Sequence, residues 1–226
     1  MKANIKSSSS ERTITVLIIS APILNSRPRA KEFPKLILIL YFCKTINKNN
    51  RIMLSKKMEE ALNAQVNAEF WSAYLYLSMS NHFAAAGNQG FANWVSIQFQ
   101  EEQAHATIFM KYVLSCGGKV TLAPIASVKT EWKSPLEAFE DTLAHEKKMT
   151  ALIHDLCVLA DEEKDFGTAN MLKWFVDEQI EEEANAQELI DSLKMIKDNG
   201  FGLYMLDKEL KARVYTTPAP LATSAE

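Results

Sequence analysis

From Leu54 onward, apolar residues recur at the three- and four-residue spacing of an α-helix through almost the whole chain. Four long segments show this spacing: A at about 54–86, B at 89–116, C at 134–161 and D at 164–198. A helix with one apolar stripe buries that stripe against other helices. The pattern therefore predicts an all-α fold. A content of only 7 glycines and 7 prolines agrees, since an all-β chain needs many more turns.

The lengths of the connections predict how the helices are joined. Gly87 and Asn88 form a short break between A and B, and a few residues separate C from D. About residues 117–133 separate B from C, which is too long for a hairpin turn. Two short connections with one long connection between them are typical of a four-helix bundle with one long crossover. A short fifth helix is predicted at about 204–213, followed by a flexible tail at 216–226.

Residues 1–52 differ in composition from the rest of the chain. They contain 10 basic and 2 acidic residues, a net charge of +8, whereas residues 53–226 contain 15 basic and 26 acidic residues, a net charge of −11. We interpret 1–52 as an unstructured leader, with some likeness to a transit peptide, or as upstream sequence ahead of a working start at Met53. The acidic remainder is a poor nucleic-acid binder and is better suited to cations.

The apolar stripe of each segment is interrupted near its middle by a carboxylate. These residues are Glu69 in A, Glu102 in B, Glu146 in C and Glu182 in D. Burying one unpaired carboxylate costs several kcal/mol, and four that face one another also repel. No Lys or Arg lies on the stripes to neutralise them. The compensating positive charge must come from protons or from a metal.

The residue types indicate which metal. Glu102 and His105 are three residues apart, so one helix face can present both to one ion, and Glu102 can bridge to a second. Carboxylates with one imidazole form a hard ligand set that suits iron or manganese. A typical zinc site with thiolate ligands has a different donor set. For any single helix, the pattern is explained equally well if the helix phase is misjudged and the Glu faces solvent. Taken alone, His105 is more typical of a histidine packed in the core than of a metal ligand. Four such coincidences beside an E-x-x-H are hard to explain that way, so a dinuclear site is predicted.

The three cysteines, Cys43, Cys116 and Cys157, show no C-x-x-C spacing. Their odd number and spacing exclude a disulfide framework, a zinc ribbon and a thioredoxin-type motif. Free thiols fit a reducing compartment. The two apolar runs of residues 1–52 are too short to cross a bilayer. The sequence therefore predicts a cytoplasmic protein with no membrane partner.

Several stretches resemble the bacterial non-haem ferritins, over Met53 to about Tyr215. The matching stretches are Leu62–Glu69, Gln100–His105, Trp174–Glu183, Gly202–Tyr204 and Asp207–Leu210. The resemblance implies a ferritin-like bundle whose copies assemble, ordinarily as twenty-four subunits, into a hollow shell around a ferric mineral. It implies an iron-storage protein with ferroxidase activity, which oxidises Fe(II) with O2 or H2O2.

The resemblance also implies, residue by residue, an iron-binding set. Glu69, Glu102 and His105 would hold the first iron. Glu102 would bridge to a second iron held by Glu146 and Glu182.

Further residues around this pair match the same family. Gln179 would lie beside the second iron, and Tyr76 would be a hydrogen-bond partner and electron donor next to the pair. A third iron site toward the cavity is implied for Glu101, Glu178, Glu181 and Glu182. From the residues alone, the first three of these are equally typical of a solvated acidic face.

The chain also departs from neighbouring families. Gln103 stands where bacterioferritins place a haem-ligating Met, so no haem is expected. The pair Glu178-x-x-Glu181 lacks the second E-x-x-H histidine of bacterioferritins and rubrerythrins. Mini-ferritins of the Dps type build their site between subunits and lack a fifth helix. The presence of Glu146 and Glu182 within one bundle, together with the predicted fifth helix, argues against that class.

Two other functions remain open. One is a di-iron oxidase acting on an organic substrate, and the other is a cage subunit that stores metal without catalysis. Bulky residues on the stripes, Tyr76, Phe109 and Phe175, favour a closed site over a substrate pocket. All the predicted ligands are retained, which argues against a subunit without catalysis.

Overall fold

The computed structural model describes residues 54–222. Its five helices are α1 (Lys56–Ala85), α2 (Gln89–Ser115), α3 (Pro135–Glu162), α4 (Phe166–Ile196) and α5 (Gly200–Leu210). No strand occurs in this part of the chain, which confirms the all-α prediction. The four long helices end within two residues of their predicted limits. None of the described helices is both long and apolar enough to span a membrane.

Two clusters of buried apolar residues lie toward opposite ends of the long helices. The Phe83 cluster draws on all four: Tyr76, Met79, Phe83, Phe91, Trp94, Val95, Phe139, Leu189, Ile190 and Leu193. The Phe109 cluster does so as well: Met58, Leu62, Val66, Ile108, Phe109, Val113, Ile153, Leu156, Leu172 and Phe175.

The order of the clusters along the chain defines the direction of each helix. α1 and α4 run from the Phe109 cluster to the Phe83 cluster, whereas α2 and α3 run from Phe83 to Phe109. The α1–α2 and α3–α4 connections therefore join neighbouring helix ends. Gly87, with φ of 86°, provides the left-handed residue that closes the first of these turns. The α2–α3 connection must instead return along the whole bundle, so the predicted crossover is confirmed.

Side chains of α1 hold this crossover along its length. Asn63 Nδ2 donates to the carbonyl of Lys119 at 2.9 Å, and Ser78 Oγ donates to that of Lys129 at 2.8 Å. Asn67 lies between them and donates to two further carbonyls of the crossover. Asn63 and Ser78 are about 22 Å apart along the helix axis. The crossover is therefore tied to α1 over four helical turns.

The fifth helix begins earlier than predicted, at Gly200 rather than about 204, and ends at Leu210 rather than about 213. The reason is Asn199, whose side chain accepts hydrogen bonds from the backbone N–H groups of Phe201 and Gly202. Asn199 directly follows segment D, which was predicted to end at about 198. In the structure, Asn199 caps the start of the next helix.

The whole predicted leader and part of the predicted tail lie outside the described residues. Residues 1–52 are not among them, and neither are 223–226, so both interpretations stay predictions. Within the described part of the tail, Leu221 packs against the Phe109 cluster.

Candidate metal centre

A layer of buried polar side chains separates the two apolar clusters. The four carboxylates are almost inaccessible, with exposed fractions of 2% for Glu69, 2% for Glu102, 1% for Glu146 and 4% for Glu182. His105 in the same layer is 2% exposed. The alternative of misjudged helix phases with solvated carboxylates is therefore wrong.

Glu69, Glu102 and His105 lie closest together. Each offers one ligand atom within 4.8 Å of those of the other two. His105 Nδ1 is 3.4 Å from Glu102 Oε2 and 4.0 Å from Glu69 Oε2. Glu69 comes from α1, while Glu102 and His105 share one face of α2, as their three-residue spacing predicts. A single cation can contact all three side chains.

Glu146 is the centre of a second set of contacts. The Tyr76 hydroxyl donates to Glu146 Oε1, and Gln179 Nε2 donates to Glu146 Oε2 at 3.3 Å. Gln179 also donates to the Glu146 backbone oxygen at 3.2 Å. Three helices therefore fix the orientation of this carboxylate. The structure brings these three predicted residues together, beside the Glu69 group.

Two buried glutamines belong to the layer, although sequence reasoning assigned them no role. Gln65 Nε2 donates to Glu69 Oε1 at 2.9 Å, and Gln98 Nε2 donates to Glu182 Oε2 at 2.7 Å. Each glutamine precedes a predicted ligand on its own helix by four residues, which is the signal that could have identified them. Gln98 Oε1 has no hydrogen-bond partner among the described residues.

His145 is a further buried residue that sequence reasoning did not single out. Its Nε2 lies 2.7 Å from Ser72 Oγ. Burial lowers the pKa of His145 to about 4, so the ring is neutral near pH 7. It therefore offers no positive charge to the neighbouring carboxylates.

The electrostatics of the layer favour a bound cation. Burial raises the pKa of Glu69, Glu102 and Glu182, and mutual repulsion among the carboxylates adds to it. Burial likewise raises the pKa of Glu146, to about 7. Burial alone lowers the pKa of His105, but nearby carboxylates outweigh it and raise this pKa well above its ordinary value. Within residues 54–222, no Lys or Arg forms an ion pair with these four glutamates.

Aromatic rings close the layer on the Phe109 side. Phe109 and Phe175 stack with ring centroids 4.1 Å apart. Trp174 and Phe175 both contact the His105 ring edge-on, at 5.5 and 5.8 Å. This packing leaves little room for an organic molecule beside His105, in agreement with the predicted closed site.

The residues predicted for a third site are less closely grouped. Glu101 has a side chain 16% exposed and forms an ion pair with Arg213. The Glu178 side chain is 23% exposed, and its Oε1 lies 3.7 Å from His105 Nε2, which has no hydrogen-bond partner in the described part. Glu181 is exposed. The 4.8 Å grouping that joins Glu69, Glu102 and His105 does not include these residues.

Comparisons with known proteins agree with this architecture. A family model described as the ferritin-like domain matches residues 59–196. The bacterial non-heme ferritin of Bacteroides fragilis strain 638R is 42% identical over 161 residues, which is 71% of this chain and 100% of that protein. The one from Staphylococcus haemolyticus is 40% identical over 163 residues, 72% of this chain and 98% of the relative.

Solved structures give a similar result. An Archaeoglobus fulgidus ferritin engineered into a closed form is 47% identical, with a TM-score of 0.71, over 72% of this chain and 99% of that one. The open-pore ferritin of the same archaeon is also 47% identical, with a TM-score of 0.71, over 71% and 98%. The likeness extends over almost the full length of both relatives.

Proposed function

The chain belongs to the ferritin family, and we propose that it oxidises Fe(II) at the buried carboxylate layer and stores the ferric product. One observation carries the proposal: four carboxylates and His105 are buried together, and no lysine or arginine of residues 54–222 pairs with these carboxylates. Fe(II) would offset this charge as it binds. The donors are oxygen and imidazole nitrogen, which suit iron.

The geometry suggests how two iron ions would be held. Glu69, Glu102 and His105 would bind the first. Glu146 and Glu182 would bind the second, and Glu102 would bridge the two. Tyr76 and Gln179 donate to Glu146 and would hold its carboxylate in position, as outer partners commonly do for metal ligands. We also propose Tyr76 as an electron donor next to the pair.

The reaction consumes two Fe(II) ions for each two-electron oxidant. With O2, both irons lose one electron, two protons are taken up and H2O2 leaves. With H2O2, the O–O bond breaks and two water molecules form from the same number of electrons and protons. The buried carboxylates favour the higher charge of Fe(III). The rings of Phe109, Trp174 and Phe175 beside His105 would keep bulk water and larger substrates away from the site.

Storage requires an enclosed volume, which one bundle does not provide. The proposal therefore includes a homo-oligomeric shell, ordinarily of twenty-four subunits in this family, in the cytoplasm. Glu101, Glu178, Glu181 and Glu182 would form a third iron site between the pair and the interior. No haem takes part in this account, since Gln103 replaces the haem-ligating Met.

The proposal is tested by Glu102→Ala and His105→Ala. Each variant is expected to lose the fast phase of Fe(II) oxidation, because a proposed metal ligand is removed. The loss should exceed the roughly 10- to 100-fold that is typical when only an outer partner of a metal ligand is changed. Stopped-flow absorbance after anaerobic loading and mixing with O2 measures this phase. Light scattering should show shells as large as those of the parent, since both side chains lie inside the bundle.

Glu188→Ala is the matched control, because it removes an exposed glutamate from α4. It should oxidise iron at the parent rate. If Glu102→Ala or His105→Ala does so too, the layer is not the oxidation site. A protein that binds Fe(II) but never oxidises it would instead support the storage subunit without catalysis.

A further inference from the structure

We propose that Arg213 is a built-in competitor for iron at the third site: its guanidinium holds Glu101 when no cation is bound there and must leave that carboxylate before iron can use it. The inference rests on the proposed function, which places Glu101 in the third site. It adds a residue from the segment after α5 that regulates access to that site.

Arg213 is held in place by three different contacts. Its Nη2 donates to Glu101 Oε2 at 2.8 Å. Its Nη1 donates to the backbone oxygen of Trp94 at 3.2 Å, and the guanidinium lies over the Trp94 ring, 4.5 Å from the centroid. Stacking on an aromatic face and pairing with a carboxylate are the two interactions that favour Arg over Lys. The side chain is therefore directed at Glu101 and not merely near it.

The backbone around Arg213 is also hydrogen-bonded to α2. Asn93 Nδ2 lies within hydrogen-bond distance of three carbonyls of this segment, those of Leu210, Lys211 and Arg213, at 3.2, 3.4 and 3.0 Å. Asn93, Trp94 and Glu101 lie on one side of α2, two turns apart. The segment after α5 thus follows α2 toward the carboxylate layer, where Arg213 contacts Glu101.

Glu101 is the only acidic residue of the predicted third site that forms an ion pair with a Lys or Arg within residues 54–222. Its side chain is 16% exposed and that of Arg213 is 23% exposed, so water screens the pair only partly. A divalent cation on Glu101 would carry the same sign of charge as the guanidinium. The two cations therefore compete for one carboxylate, and binding of either weakens binding of the other.

Competition of this kind has two consequences that can be measured. Removing the Arg213 charge should tighten metal binding at Glu101. Binding of metal at Glu101 should in turn release Arg213 and loosen residues 211–215. Reciprocity requires both effects to arise from the same coupling.

The test titrates the metal-free full-length protein with Zn(II), which cannot be oxidised, in a calorimeter. The step assigned to the third site is the one that Glu101→Gln removes. Arg213→Gln should bind Zn(II) at this step roughly 5- to 150-fold more tightly than the parent, the usual range for coupling between two sites. Lys211→Gln is the matched control, since it removes an exposed positive charge two residues earlier, and it should leave the step unchanged.

Trypsin provides a second measurement, because it cleaves after Lys211. Saturating Zn(II) should speed this cleavage in the parent. In Glu101→Gln the cleavage should already be fast and should not respond to Zn(II). A merely structural role for Arg213 predicts faster cleavage in Arg213→Gln but no change in Zn(II) affinity.

Three outcomes would overturn the inference: a third step of equal affinity in Arg213→Gln and the parent, an equal gain in Lys211→Gln, or no step that Glu101→Gln removes. Failure of the proposed function is read separately. It would appear as normal iron oxidation in Glu102→Ala and as no loss of the first two Zn(II) equivalents in that variant.

Discussion

At the scale of single residues, the buried carboxylates destabilise the folded protein as long as no cation neutralises their charge. Burial opposes the charged form of each glutamate, and Glu69, Glu102 and Glu182 also repel one another or Glu146. The glutamines and Tyr76 donate hydrogen bonds that offset part of this cost. The layer thus lowers the stability of the metal-free protein, and under the proposed function the same buried charge favours binding of a cation.

The Glu146→Gln variant measures how much stability the buried charge of Glu146 costs the metal-free protein. Burial raises the pKa of Glu146 from 4.5 to about 7, so the folded state binds a proton that the unfolded state releases between these pH values. Its contribution to stability is complete below pH 4.5 and is lost as the pH rises through about 7. The Gln variant should therefore match the parent at pH 4.5 and exceed it by about 1–3 kcal/mol near pH 7. Denaturant unfolding without metal checks this.

The same variant should respond less to Fe(II), because a proposed iron ligand is gone and bound metal stabilises the folded state according to its affinity. Melting curves under anaerobic conditions should show a smaller rise on adding Fe(II) than the parent shows. Glu188→Gln, an exposed change on α4, should behave like the parent in both experiments. A Gln variant that is less stable without metal and equally stabilised by it would contradict the buried-cluster account.

At the scale of the elements, α5 is fixed to the bundle through the start of α2. Asp207 Oδ1 accepts hydrogen bonds from the backbone N–H groups of Gly90, at 2.8 Å, and Phe91, at 3.0 Å. One helix therefore caps the N-terminus of another. The approach is so close that a Cβ on Gly90 would collide with the backbone carbonyl of Asp207.

Gly90→Ala should therefore displace α5 and destabilise the protein by about 1–3 kcal/mol, the usual cost of overpacking. Denaturant unfolding measures the change in stability, and hydrogen exchange of residues 200–210 should accelerate. Gly200→Ala is the control, because a Cβ there has no neighbour within 4 Å. It should leave both quantities unchanged or slightly improved. Equal behaviour of the two variants would show that the Gly90–Asp207 approach does not hold α5.

At the scale of the whole molecule, both apolar clusters and all the predicted iron ligands lie after residue 54. The bundle is complete within this part, including the crossover held along α1. We therefore expect the bundle to form without residues 1–52.

A chain that begins at Met53 should therefore fold, assemble and oxidise Fe(II) as the full chain does. Light scattering compares the size of the assemblies, and stopped-flow absorbance compares the rates of oxidation. Equal results are expected for both. Loss of solubility or of the shell on removing residues 1–52 would show that they take part in the structure.

The sequence alone determined the class of fold, the single crossover and which carboxylates are buried. Helical periodicity is local, so four amphipathic segments can be located without knowledge of their neighbours. A carboxylate on an apolar stripe is equally visible, and four of them with His105 predict a metal. The start of α5 was missed by four residues, because Asn199 both follows one helix and caps the next.

Only the tertiary structure decided which side chains share a contact. Gln98 lies four residues from Glu102, yet it donates to Glu182 on another helix. The pairing of Arg213 with Glu101 joins residues 112 positions apart. Such contacts depend on the rotation and depth at which the helices pack, and these are set by the sum of many small core interactions. A sequence pattern shows which face of a helix is buried, but not which atom it meets there.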